Sequence, residues 1–304
     1  MPPTPARQPF QLSRRGFVAG LAATGVLAAC SSGDDDSSGD TPDTSDTSGS
    51  ELTFGPFLIA QRFPQDVQEP GLQRLPVSLA TPDGQIVSDG PETLRAEVDD
   101  ADGNPLGLSL STVRRDLESG AYYSFRVPIE TPGIYYLLVE GGPEGGAAFQ
   151  VMEPGSVAVP TPGTAMPPFD TPTLEDARGV DPVCTRTPEP CPFHDLTLTE
   201  ALVSSKPVVY LVGTPAFCQT GTCAPALESM IAVQDRFGET FDWVHAEVYT
   251  DNTATIPADA VTAANLNFEP ALFVIAADGT VSERIDAVWD ESELVEVLER
   301  AAPA

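Results

Sequence analysis

Between Leu52 and Met152 apolar residues recur at every second position. Leu94, Ala96 and Val98 alternate with Arg95, Glu97 and Asp99, and Tyr123, Phe125 and Val127 alternate with Ser124 and Arg126. Successive side chains of a strand point to opposite faces, so this period predicts half-buried strands. Turn formers return about every ten residues: Pro82-Asp83-Gly84, Asp89-Gly90-Pro91, Asp102-Gly103-Asn104-Pro105, Pro132-Gly133 and Gly141-Gly142-Pro143. Short strands at that spacing predict an all-β sandwich over residues 51–153.

From about Leu196 the pattern changes. A helical run over 196–205 precedes the unbroken apolar run Pro207–Val212, as in a strand buried on both faces. Leu227, Met230, Ile231 and Phe237 then fall at helical spacing. Strands are expected at 243–249, 271–275 and 281–288, with a short helix near 258–266 and a hairpin turn at Asp278-Gly279. Asp290 stands three residues before Glu293, as in a capping box, and Leu294, Val297, Leu298 and Ala301 line one face of a last helix. The alternation predicts α/β architecture over 193–304, a central mixed sheet flanked by helices. Residues 154–192 are dense in proline, which reads as an interdomain linker passing into an ordered loop.

Charge narrows the function. The 304 residues hold 15 Lys and Arg against 45 Asp and Glu, a formal net charge of −30. Such a surface repels phosphate backbones, so nucleic acid is excluded as a partner. Residues 31–50 hold six aspartates and read as a self-repelling tether. Ahead of them, residues 1–30 carry Arg7, Arg14 and Arg15, no acid, and the apolar stretch Gly16–Ala29, the composition of an export signal too short for a stable span.

Ser13-Arg14-Arg15-Gly16-Phe17-Val18 resembles the twin-arginine export motif, and Leu27-Ala28-Ala29-Cys30 resembles the lipobox of bacterial lipoproteins. The resemblance implies a chain anchored to the extracytoplasmic side of the cell membrane through lipid on Cys30. Likewise, Pro132-Gly133-Ile134-Tyr135-Tyr136-Leu137-Leu138-Val139 resembles a late strand of an immunoglobulin-like domain.

Four further cysteines remain: Cys184, Cys191, Cys218 and Cys223. Three connectivities are open to them. The local pairings Cys184 with Cys191 and Cys218 with Cys223 are expected, because each closes a short loop rich in Pro or Gly. Cys191-Pro192-Phe193-His194 has the spacing of two ligands on one turn. With no fourth ligand nearby in the sequence, the expectation is a stapled loop with His194 metal-free. His245 and Glu247 share one face of a strand, where a carboxylate could accept a proton from a thiol, although such groups are more often satisfied core or edge residues.

The segment Val212-Gly213-Thr214-Pro215-Ala216-Phe217-Cys218-Gln219-Thr220-Gly221-Thr222-Cys223-Ala224-Pro225 lies between a strand and a helix. Phe217-Cys218 resembles the aromatic-Cys start of a thioredoxin active site, and Phe268-Glu269-Pro270-Ala271-Leu272-Phe273-Val274 resembles the strand entered through its cis-proline. The likeness covers about residues 165–301. It implies a thioredoxin-like fold behind the immunoglobulin-like sandwich, and thiol–disulfide exchange in which Cys218 attacks, Cys223 resolves and Pro270 shapes the groove for exported partner proteins, with no cofactor. The four residues between the cysteines depart from the family's two. Five helical steps turn about 500°, leaving the two side chains about 140° apart, so Gln219–Thr222 must loop before the helix begins. Three alternatives stay open. Two cysteines with a distal His are similar to the Sco copper chaperones, which implies copper on Cys218, Cys223 and His245. The cysteine spacing also resembles atypical two-cysteine peroxiredoxins, and a non-catalytic binding lipoprotein with structural disulfides is the last alternative.

Overall fold

The period-two segments fold as β1 (Leu58–Gln61), β2 (Gly71–Ala80), β3 (Thr93–Asp100), β4 (Leu110–Arg115), β5 (Tyr122–Ile129), β6 (Gly133–Val139) and β7 (Ala147–Val151). These elements come from a computed structural model that describes residues 51–303. The export signal, the Asp-rich tether and Cys30 lie outside the described residues. The strands form one antiparallel sheet in the order β1-β2-β5-β4-β3-β6-β7. The joint is β4: Leu110–Val113 pair with β3, while Arg114 and Arg115 pair with Tyr123 and Tyr122 of β5. The open side nearly closes. The Gly55 and Phe57 N–H groups donate to the carbonyls of Gly142 and Gly141, and Gly141 N–H donates to Thr53 O. The curl encloses Leu75, Val77, Leu94, Val98, Phe125, Val127, Leu137 and Phe149, the inward set that alternation predicts.

Four more strands form a second sheet: β8 (Val208–Val212), β9 (Asp242–Ala246), β10 (Ala271–Ile275) and β11 (Val281–Asp286), in the order β11-β10-β8-β9. Strands β8 and β9 run parallel and the other pairs antiparallel, and β9 is an edge. The helices are α1 (Leu198–Leu202), α2 (Cys223–Phe237), α3 (Asp259–Ala263) and α4 (Glu291–Ala301). Thr197 and Glu200 close a full capping box on α1. At α4 only half of the expected box forms: Asp290 accepts the Glu293 N–H at 2.7 Å, but the Glu293 side chain points elsewhere.

The expected fold class is corrected by this arrangement. The described chain is mostly β, a seven-stranded antiparallel near-barrel sheet plus a second sheet, instead of a thioredoxin-like central sheet flanked by helices behind an immunoglobulin-like sandwich. Helices are a minor part, at 5, 15, 5 and 11 residues. The helix expected over 196–205 shrinks to five residues, because Ser204, Ser205 and Pro207 are poor helix formers. The Pro-rich residues 154–192 form no helix or strand and pack as irregular, turn-rich chain. Gly163 and Met166 donate their N–H groups to Val281 O and Gly279 O beside β11, and Val159, Met166 and Val180 are buried.

A polar core joins the near-barrel to α4 and β11. Arg74 of β2 donates Nε to Glu293 Oε1 at 2.8 Å and Nη2 to Oε2 at 2.7 Å, and its remaining donors reach the carbonyls of Asp286 and Val288. The Tyr122 hydroxyl and Ser124 Oγ also donate to Glu293, at 2.8 and 2.7 Å. Burial by itself would raise the Glu293 carboxyl, but the guanidinium of Arg74 and these hydrogen bonds pull it down to about 2. Ser124 is therefore buried, although alternation alone places it on a solvent face.

Candidate functional site

Strand β8 runs into the loop that carries Cys218, and α2 starts at Cys223. The chain turns between them as the spacing requires. Gly221 N–H donates to Cys218 O at 3.2 Å, and Gly221 adopts φ +69°, which a side chain would resist. A helix start leaves backbone N–H groups without intrahelical partners. Thr222, the N-cap residue, makes no side-chain cap. The sulfur of Cys218 fills that role, accepting the Cys223 N–H at 3.3 Å. Thr220 Oγ1 lies 3.2 Å from the same sulfur, and Thr222 Oγ1 lies 2.8 Å from Thr220 Oγ1.

Each of these contacts favours negative sulfur at Cys218, as does the positive end of α2. Hydrogen bonding from the Cys223 thiol contributes most, and with the Thr220 hydroxyl and the Cys223 and Thr222 backbone groups it outweighs partial burial, bringing Cys218 down to about 4. Burial pushes the Cys223 thiol up, and the facing Cys218 sulfur adds to that. The pair is thus split into one partly exposed thiolate and one buried thiol.

Glu269 is the third member. Its carboxylate lies within 4.8 Å of both sulfurs, Oε2 has no hydrogen-bond partner among the described residues, and burial together with the Cys218 charge raises it to about 7. The next peptide, Glu269-Pro270, is cis. Gly213 sits against both Pro270 and Cys223: a Cβ on it would lie 3.5 and 3.7 Å from theirs.

The expected bridge between Cys184 and Cys191 is absent. Both are free, buried thiols, and Cys218 and Cys223 are free as well. Cys184 and Cys191 gather instead with His194 and His245, the four ligand atoms lying within 4.8 Å of one another. One backbone hydrogen bond and one ring stack place the segment. Phe193 O accepts the His245 N–H at 3.0 Å, which lays residues 191–194 along the free edge of β9, and Phe193 stacks on Trp243. His245 is therefore not brought to Cys218 and Cys223, and the copper set of those three residues is replaced at the Cys218–Cys223 loop by Cys218, Cys223 and Glu269.

Glu247 Oε1 accepts the Thr185 N–H at 2.6 Å, its Oε2 has no hydrogen-bond partner among the described residues, and its charge helps to raise Glu269. Sequence reasoning missed two groups: Glu269, whose only signal is its place directly before Pro270, and His245 as the fourth member of the Cys184 cluster, which no local spacing announces. Compared with protein-family models and with curated proteins, the chain finds no match to either.

Proposed function

We propose that this chain is a thiol–disulfide oxidoreductase working through Cys218 and Cys223. The observation that carries the reading is the asymmetry of the pair, a hydrogen-bonded, accessible sulfur in front and a buried thiol behind it, beside a carboxyl raised to about 7. In the forward direction the Cys218 thiolate attacks one sulfur of a partner disulfide. The partner's S–S bond breaks, its second sulfur leaves as thiolate, and a Cys218–partner disulfide forms. Glu269 takes the proton from Cys223, whose sulfur then attacks Cys218 Sγ. The partner sulfur that Cys218 first attacked departs as the second thiolate, the partner is reduced by two electrons, and the pair is oxidised to a Cys218–Cys223 disulfide. The reverse sequence oxidises a partner dithiol.

The N-terminal lipobox supports a site tethered by Cys30 at the extracytoplasmic membrane face, with the thiols and disulfides of exported proteins as partners. The test is equilibration of the full chain in glutathione redox buffers, followed by peptide mapping. A Cys218–Cys223 bridge should form and reopen reversibly within the glutathione range. A pair that stays dithiol in every buffer, or stays bridged until the protein unfolds, would refute the activity.

A further inference from the structure

We propose that Cys184 Sγ, Cys191 Sγ, His194 Nε2 and His245 Nδ1 bind one zinc ion in a closed tetrahedral site. The inference is independent of the exchange chemistry and uses none of its residues. All four side chains are buried, with 4, 1, 1 and 0% of their surface exposed in that order. A structural zinc site asks for such a set, two thiolates and two imidazoles shut away from water.

The spacing between donors fits the ion. Zinc bonds of about 2.3 Å to sulfur and 2.0 Å to nitrogen, directed tetrahedrally, put sulfur and nitrogen about 3.5 Å apart and two nitrogens about 3.3 Å apart. His245 Nδ1 lies 3.8 Å from Cys184 Sγ, 3.4 Å from Cys191 Sγ and 3.2 Å from His194 Nε2.

The outer ring atoms carry the argument further. His245 Nε2 lies 3.0 Å from Gly213 O, and His194 Nδ1 lies 3.5 Å from Pro172 O. A carbonyl only accepts, so His245 Nε2 holds a proton and donates, and the longer contact places His194 Nδ1 to do the same. In the neutral rings that metal ligation needs, the two inner nitrogens are then both unprotonated, and with no proton or metal ion between them their lone pairs face each other at 3.2 Å in a buried space. A metal between them removes that conflict, and hydrogen bonds from the far ring nitrogens to backbone carbonyls are the usual means of orienting metal-bound imidazoles. Two thiolates also balance the charge of a divalent ion, so the buried site is neutral. Binding releases the two thiol protons to solvent and changes no oxidation state. The backbone adds a further donor, since Cys191 N–H points at Cys184 Sγ at 3.4 Å.

The site would pin the Cys184–His194 loop to the β9 edge and, through Thr185 Oγ1, which accepts the Ala216 N–H at 3.1 Å, brace the loop before Cys218. The experiment takes the full chain in detergent, reduced and stripped by chelator, and titrates it with zinc and separately with cobalt(II). One metal per chain is expected, with the strong visible bands of tetrahedral cobalt bearing thiolate ligands. Cys191→Ser and His194→Ala should each weaken zinc binding by about 100-fold or more, whereas Cys218→Ser and Cys223→Ser should retain it. Should a ligand variant fail to fold, the wild-type cobalt spectrum decides alone. The proposal is overturned by a reduced wild-type chain that takes up no stoichiometric zinc, by an octahedral cobalt spectrum, by a folded Cys191→Ser that keeps its zinc, or by loss of zinc in the Cys218 and Cys223 variants.

Discussion

Under the proposed function, replacing Cys218 with Ser should abolish disulfide exchange, because a hydroxyl in the same place has no thiolate to offer. In the wild-type chain the nucleophile shows itself through pH. Cys218, held at about 4, is thiolate above that value and protonates as pH falls through it. At about pH 5 an ordinary thiol is ionised to roughly one part in ten thousand, while Cys218 is almost wholly ionised. A weakly basic thiolate is a poorer nucleophile by about two orders of magnitude over this span, which leaves a net advantage of roughly 50-fold. Iodoacetamide should therefore label Cys218 ahead of the buried Cys223 thiol at that pH, with a rate that halves near pH 4 and not near 9, while burial shields Cys184 and Cys191 whatever their ionisation. Equal labelling of the four thiols, resolved by peptide mass spectrometry, would remove the basis for a preferred nucleophile.

The second large effect lies away from the Cys218–Cys223 loop, at Arg74 and Glu293. Removing one member of a buried pair strands the other charge, which costs about 3–5 kcal/mol. Glu293→Gln leaves the Arg74 guanidinium without its counter-charge in a closed environment and takes the ionised acceptor from Tyr122 and Ser124. The unfolding free energy from urea titration should fall by that amount, seen as a lower midpoint at unchanged slope. A double change to Arg74→Met with Glu293→Leu should recover much of the loss, since apolar side chains of similar size replace such pairs at little cost.

The pH dependence has a fixed sign. The carboxyl sits near 4.5 when unfolded and is depressed to about 2 in the fold. Its contribution is full above the unfolded value and is lost as pH falls through the folded one, a decline of about 3 kcal/mol. Glu293→Gln should flatten that part of the acid-unfolding profile. A variant as stable as wild type, with an unchanged profile, would show that the pair does not hold the near-barrel to α4.

Local pattern was legible where side chains alternate or where a loop has to turn. Leu94, Ala96 and Val98 face inward from β3 as their period requires, and the chain turns through Gly221 so that α2 begins at Cys223. Alternation says which face of a strand is buried but not which strand it pairs with. Nothing local in Leu110–Arg115 announces that β4 pairs with β3 at one end and β5 at the other, and that is what makes one curled sheet of an expected sandwich. The helical share was overread, since runs of moderate helix formers near Ser204 and Leu266 gave helices of only five residues. At the site, the cysteine pair is local and readable. Glu269 and His245 enter through tertiary approach, Glu269 from just before β10, the neighbour of β8, and His245 from β9, 51 residues after His194.

The central claim, that Cys218 attacks and Cys223 resolves, is tested most directly by removing the resolving thiol. The full-length Cys223→Ser chain, incubated with oxidised glutathione and then digested without reductant, should accumulate a single mixed disulfide, on the Cys218 peptide. The wild-type chain under the same conditions should pass through it to the Cys218–Cys223 bridge. Absence of any glutathione adduct in Cys223→Ser, or an adduct on Cys184 or Cys191 with Cys218 unmodified, would contradict the account.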